Sequence, residues 1–211
     1  MRNLGFFLFV ILLCSSCGKE LVSVEPDGFF ADPRDSVVYP FADIGSQTWM
    51  MMNMQFETPK GSYIYDNDDR LLDDYGRLYT FDAAAKACPD SWHVPSDKEW
   101  KDLEIYLGME INAADSVDWR RSGEVALALK NQSGWWSGGN GANTSKFSAL
   151  PGGFRTIGGA FEIFGDLATY WSSTWSSEDQ AWGRALIYYE VGVYRWKYDK
   201  REGYSVRCIH D

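Results

Sequence analysis

Hydrophobic and polar positions change rhythm along this chain. Leu4 to Leu13 is apolar apart from Gly5, with Arg2 ahead of it. Such a run is too short to span the roughly 30 Å core of a bilayer as a helix, but it fits the apolar region of a secretion signal. Gly18 to Asp35 carries two prolines, several acids and little periodicity, and reads as a tether. From Ser36 onward, turn residues recur at short intervals. Phe41 to Ile44, Gly45-Ser46 and Gln47 to Met52 read as a hairpin. Asp66 to Asp74 is an acidic stretch that reads as a loop. Phe81, Ala84, Ala85 and Cys88 follow helical spacing, so a short helix is predicted over 81–87. Ser96 and Glu99 form a capping box, with Pro95 and Trp100 at the staple positions. Trp100, Leu103, Tyr106 and Leu107 then share one helical face, and Gly108 ends the helix. Val125 to Lys130 supports one more helical turn. The rest is β: 153–157 and 160–164 flank Gly158-Gly159, and further strands are predicted over 182–189, 193–198 and 204–209. The expectation is an α+β fold with two short helices early and an antiparallel sheet late.

With 211 residues, 45% of them hydrophobic, the chain supports one ordered domain with a short appendage. Its 30 acids against 20 bases give a net charge of −10, which excludes the electrostatic footprint of a nucleic-acid binder. Loss of the leader removes one more arginine and no acid, so basic or neutral polar partners suit the mature chain better than anionic ones. Only two histidines occur, which excludes a multi-histidine metal site. Aromatic residues make up 16% of the chain, including ten tryptophans.

Leu13-Cys14-Ser15-Ser16-Cys17-Gly18 resembles the bacterial lipobox, with Cys14 where leucine is usual. On that likeness residues 1–16 are the signal peptide, Cys17 carries lipid, 17–35 is the tether and 36–211 the domain. The alternative is an ordinary secreted protein cleaved nearby. Acyl chains on one residue anchor a soluble domain to a membrane, so the expected location is the cell envelope, at the outer membrane and open to the surface. Cys88 and Cys208 then remain as an even pair in an oxidising compartment, where a disulfide is the default. The other reading of the pair is a reactive cysteine beside a histidine.

Six collinear blocks carry a family resemblance. They are Ile44-Gly45-Ser46-Gln47-Thr48-Trp49-Met50, Gly76-Arg77-Leu78-Tyr79-Thr80, Ala87-Cys88-Pro89-Asp90-Ser91-Trp92-His93-Val94-Pro95-Ser96, Phe147-Ser148-Ala149-Leu150-Pro151-Gly152-Gly153-Phe154-Arg155, Tyr170-Trp171-Ser172-Ser173-Thr174 and Tyr204-Ser205-Val206-Arg207-Cys208. Together they resemble the Fibrobacter succinogenes major paralogous domain. The resemblance implies a single domain similar in fold to C-type lectin-like and formylglycine-generating-enzyme-like proteins. Its terminal strands would be paired, with long irregular loops over one face. The Cys88–Cys208 staple fits that arrangement.

Candidate chemistry is sparse. The Glu-Pro-Asn, Gln-Pro-Asp and Trp-Asn-Asp triplets of calcium-dependent lectins do not occur. Asp66-Asn67-Asp68-Asp69 offers hard oxygen ligands, but Arg70 and Leu71 stand where a calcium loop needs an oxygen ligand and a glycine. His93 reads as a packed or hydrogen-bonded structural histidine, and His210 sits too near the C-terminus for a preorganised base. Neither catalytic residue, metal nor cofactor is expected, and hydrolase or oxidase activity ranks last. The aromatics remain. Trp135 and Trp136 lie in a Gly/Ser/Asn-rich loop, 131–145, where one indole can fold inward while the other stays exposed. Tyr194, Trp196 and Tyr198 share one strand face, which in such sheets more often points to the core than to a ligand. Trp135, Trp136, Trp171, Trp175 and Trp182 are the candidate ligand-binding residues, on loops 131–145 and 171–182. The expected function is surface recognition of an extracellular glycan or protein, anchored to the membrane by its lipid. The alternative is a structural adhesin or assembly component with no small ligand.

Overall fold

A computed structural model describes residues 24–211. The candidate leader and Cys17 lie outside the described residues. Strands β1 (Gly28–Ala31), β2 (Val38–Ile44) and β3 (Gln47–Met50) make an antiparallel meander. The predicted hairpin is its second half: Ile44 pairs with Gln47, and Gly45 takes a φ of +67° in the two-residue turn.

β1 lies inside the stretch expected to be a tether, and the polar residues around it have distant partners. Asp27 accepts from Lys146 Nζ at 2.7 Å and from the Asp43 amide. Asp32, fully buried, chelates Arg34, whose guanidinium donates to the carbonyls of Lys86, Ala87 and Cys88. Val24 packs against the core. Acids and prolines resemble a linker only while their partners are unknown.

The remaining elements are short, apart from three strands and one helix. They are β4 (Ser62–Tyr63), α1 (Leu72–Tyr75), β5 (Leu78–Tyr79), α2 (Phe81–Ala84), β6 (Trp92–His93), α3 (Asp97–Tyr106), α4 (Ile111–Ala114), β7 (Asp118–Arg120), α5 (Val125–Leu129), β8 (Phe154–Arg155), β9 (Phe161–Glu162), β10 (Leu167–Trp175), β11 (Gln180–Ile187), β12 (Val193–Asp199), β13 (Tyr204–Ser205) and β14 (Ile209–His210). One sheet has the order β1-β2-β3-β14-β6 and a second the order β4-β5-β13-β10-β11-β12-β7. Pairing is antiparallel except between β10 and β13. The fold is α+β, and the last strand pairs with the N-terminal meander through Ile209 and Trp49.

Four expectations need correction. Among the described residues five α-helical segments occur rather than two, one of them, Leu72–Tyr75, overlapping the acidic 66–74 stretch. The 204–209 strand is split into β13 and β14, and the Arg207 guanidinium between them turns inward to Asn53 Oδ1 and the carbonyls of Met50 and Phe147. The segment 171–182 is no loop: β10 runs to Trp175 and β11 starts at Gln180. Ala168, Thr169, Tyr170, Trp171 and Ser172 are all buried. A strand covered on both faces shows no alternation of polarity, and its pattern hides it. Tyr106, which shares a helical face with Trp100 and Leu103 by spacing, is 64% exposed where they are buried.

In α3 the capping box forms as predicted: Ser96 Oγ accepts from the Glu99 amide at 3.2 Å and the Ser96 amide donates to Glu99 Oε2 at 2.7 Å. Its buried residues are Asp97, Trp100, Leu103 and Glu104, so two carboxylates face the interior. Trp49, Trp100, Phe147 and Tyr170 build the adjacent core, with neighbouring ring centroids 5.0–5.7 Å apart. The Cys88–Cys208 disulfide is formed, closing a sequence separation of 120 residues. In the chain-entropy model such a loop contributes about 4–5 kcal/mol.

Candidate functional site: an aromatic cleft over a charged seam

Strand β12 separates two environments. Its inward side chain Arg195 grips the carboxylate of Asp97, with Nε on Oδ1 at 2.8 Å and Nη2 on Oδ2 at 2.7 Å. Arg184 of β11 donates from Nη1 to Asp97 Oδ1 and from Nε to Glu104 Oε1, the latter at 2.6 Å. Arg120 of β7 completes the chain with two bonds to Glu104, at 2.6 and 2.7 Å. Burial alone would raise the Asp97 pKa, but the bond from Arg195 and the charge of Arg184 hold it well below the usual carboxylate range. All five side chains are buried and satisfied largely by one another, so removing either carboxylate would strand an unpaired arginine, Arg195 in the case of Asp97 and Arg120 in the case of Glu104. The seam locks α3 onto the inner face of the sheet.

The outer face of the same strands is aromatic. Register places Ala185 opposite Tyr194, Gly183 opposite Trp196 and Ala181 opposite Tyr198. Small residues on β11 thus leave room for large rings on β12; a Cβ on Gly183 would come within 2.8 Å of the Tyr198 ring. Tyr194 and Trp196 stack, with centroids 5.8 Å apart and planes 24° apart. Trp119 of β7, paired with Tyr194, adds a third ring at 5.0 Å. Trp196 is 43% exposed, and Trp119 and Tyr194 are half-buried. The stripe Tyr194–Trp196–Tyr198, expected on the core side, therefore divides: Tyr198 packs against the core beside Trp171 and Tyr204, while Trp196 is exposed and Tyr194 half-buried beside it. Arg195, which pattern reading would send to solvent, is the inward residue.

Beside the stack lies a cleft of about 250 Å³. Thr169 and Ala185 line it together with Leu167, with Trp119 and Tyr194 on the β7–β12 side and Phe154, Tyr198 and Tyr204 on the β8–β13 side. Tyr198 and Tyr204 meet edge to face at 4.8 Å. Thr169 Oγ1 is turned to the Gly153 carbonyl, 3.0 Å away.

The five candidate tryptophans do not converge. Trp135 is buried, its Nε1–H donating to the Ala149 carbonyl at 2.9 Å. Trp171 is fully buried and donates to the Tyr79 carbonyl at 2.6 Å. Both belong to the core, because each indole N–H finds a backbone carbonyl beneath the surface. Trp136 is 56% exposed, lying over Gly165 and edge-on to Phe164. The Trp loop therefore divides as expected, one indole in and one out. Trp175 is 67% exposed with Lys200 Nζ 5.5 Å from its ring centroid. Trp182 lies under the Arg195 guanidinium, 3.6 Å away. Residues 137–140 of the 131–145 loop line a cleft with Tyr188–Val191, not with 171–182.

A family model described as Fibrobacter succinogenes major domain matches residues 42–210. The chain belongs to that family. Neither a search of curated proteins nor one of solved structures gave a significant match. The region matched by the Fibrobacter succinogenes major domain contains the seam, the disulfide and every ring of the cleft, whereas β1 and the Asp32–Arg34 clasp precede it.

Of the two histidines, His93 is committed on both ring nitrogens: Nε2 to Glu99 Oε1 at 2.9 Å and Nδ1 to Asp211 Oδ1 at 2.7 Å. Burial lowers its pKa, but the bonds to the two carboxylates outweigh it and the net shift is upward. The clasp joins the start of α3 to the end of the chain, as a structural histidine would. Lys130 is likewise engaged, donating to the carbonyls of Ile187, Tyr188 and Glu190, and burial brings its pKa down to about 8. Sequence reasoning missed the seam, Trp119 and the cleft. The Ala-Gly-Ala alternation at 181, 183 and 185 was the available signal, since small residues at period two mark a sheet face that something large must cover.

Proposed function

We propose that this protein is a lipid-anchored recognition module of the cell envelope, which binds an extracellular glycan or protein without catalysing a reaction. The observation that carries the reading is the Tyr194–Trp196 stack, two rings held on a rigid strand and left uncovered. Flat rings on a fixed backbone suit stacking against a sugar face, and little conformational freedom is lost on binding. Trp136 and Trp175 are further exposed indoles, away from the stack. On this reading Cys17 carries the lipid, and the residues between it and the packed Val24 span at most about 25 Å when extended. The domain would thus work close to the membrane rather than on a long stalk.

A glycan array probed with the intact protein and with Trp196→Ala tests the reading. Saturable binding to a defined glycan, weakened about tenfold or more in the variant, is the expected result, a loss of about 1.4 kcal/mol. Binding unchanged in Trp196→Ala would overturn the assignment of the face. Absence of any saturable binding would favour the assembly role instead. Separately, Cys17→Ala should abolish acyl labelling and release the protein from membranes; wild-type labelling would contradict the anchor.

A further inference from the structure

The cleft beside the stack has a chemistry of its own. Five rings from β7, β8, β12 and β13 border it, and no charged side chain lines it. At about 250 Å³ it falls below the roughly 300–1,000 Å³ of pockets that enclose a whole drug-sized ligand. It suits a single head group.

The charges around it select the sign of that group. Asp118, exposed, adjoins Trp119 in the chain, and its charge adds to burial in raising the Tyr194 pKa. Glu202 accepts from the Tyr204 hydroxyl at 2.6 Å. The nearby cations are committed elsewhere. Arg120 and Arg195 are bound to Glu104 and Asp97 on the far face of the sheet. Arg155 lies over the Tyr63 ring, 3.9 Å from its centroid, and Arg201 pairs with Asp199. The chain as a whole is acidic. The faces of aromatic rings are negative and attract cations, most strongly where water is excluded. Of the hydroxyls that line the cleft, those of Thr169 and Tyr204 are already bonded, to the Gly153 carbonyl and to Glu202.

We propose that this cleft binds a quaternary ammonium head group of the choline type, held by cation–π contact with Trp119, Tyr194, Tyr198 and Tyr204. A methylated ammonium has no hydrogen bond to lose on entering an apolar cleft, and the flanking carboxylates of Asp118 and Glu202 complement its charge. The site shares its sheet face and Tyr194 with the proposed glycan platform but not its ligand, and Trp119 belongs to the cleft and Trp196 to the platform, so either assignment can fail without the other.

The test is calorimetric titration of the intact protein at constant ionic strength with choline and with 3,3-dimethylbutanol, its uncharged carbon isostere. Choline should bind saturably and at least tenfold more tightly than the isostere. Trp119→Ala should weaken choline at least fivefold. Glu202→Gln, which keeps the hydrogen-bonding shape, should weaken choline while leaving the isostere unchanged. Equal binding of choline and isostere would overturn the cation assignment and leave a merely apolar site. No saturable choline binding, or full binding retained in Trp119→Ala, would overturn the site itself. Loss of glycan binding in Trp196→Ala with choline binding intact would separate this inference from the glycan reading.

Discussion

The two faces of strand β12 carry opposite solutions to the same problem of covering a sheet. Inward, Arg195 joins Asp97, Arg184, Glu104 and Arg120 in a buried seam in which both carboxylates are held at more than one point. Outward, Tyr194 and Trp196 lean on the small residues of β11, on Trp119 and on each other, and among the described residues no further element is laid over them. The inner face is costly to alter because its charges have no water to fall back on. The outer face keeps apolar surface uncovered. Residues that fix the fold and residues free to meet a ligand are thus one position apart in the chain.

Breaking the inner face should have the largest effect. Glu104→Gln leaves Arg120 buried without its counter-charge and Arg184 with Asp97 alone, and should cost about 3–5 kcal/mol in chemical denaturation. Trp135→Ala, which empties a core position and removes the indole bond to the Ala149 carbonyl, should cost about 3–5 kcal/mol. Trp136→Ala, by contrast, should cost less than about 1 kcal/mol, since more than half of its surface is already in water. Equal losses in the two variants would erase the distinction between the loop's buried and exposed indoles. Of similar size is Trp196→Ala on the outer face, expected to cost about 0.5–1.5 kcal/mol from the lost stack.

The His93 clasp sharpens the comparison through pH. Its folded pKa is raised, so its contribution is fully present below the unfolded value and is lost as pH rises through the folded one. The seam behaves in the opposite sense: the Asp97 pKa is lowered, so its contribution holds above the unfolded carboxylate range and disappears only in strong acid. A melting temperature followed from pH 5 to 9 should therefore fall across the histidine range, and His93→Gln should flatten that fall. A fall of the same size in His93→Gln would remove the clasp from the account.

Local signals in the sequence were legible because their partners lie within a few residues. The Ser96–Glu99 box, the Gly45-Ser46 turn and the Gly158-Gly159 hairpin are all of this kind, and the cysteine pair followed from chemistry alone. Asp97 and Glu104 carry no local sign of burial, since their arginines are contributed by strands 16 to 98 residues away. β10 was hidden by burial on both faces. Burial of Trp135 and Trp171 depended on backbone carbonyls at Ala149 and Tyr79 that no pattern in the surrounding residues reveals. The cleft needed register, because its rings come from four strands.

The ten tryptophans make one direct test of the division between the faces. Indole N–H resonances, assigned by single substitutions, would be followed while choline is added at constant ionic strength. The account predicts a saturable shift of Trp119, on the outer face, with Trp49, Trp100 and Trp135 of the inner core unmoved. Shifts at Trp49, Trp100 and Trp135 as large as that at Trp119, or no saturable shift at all, would contradict it.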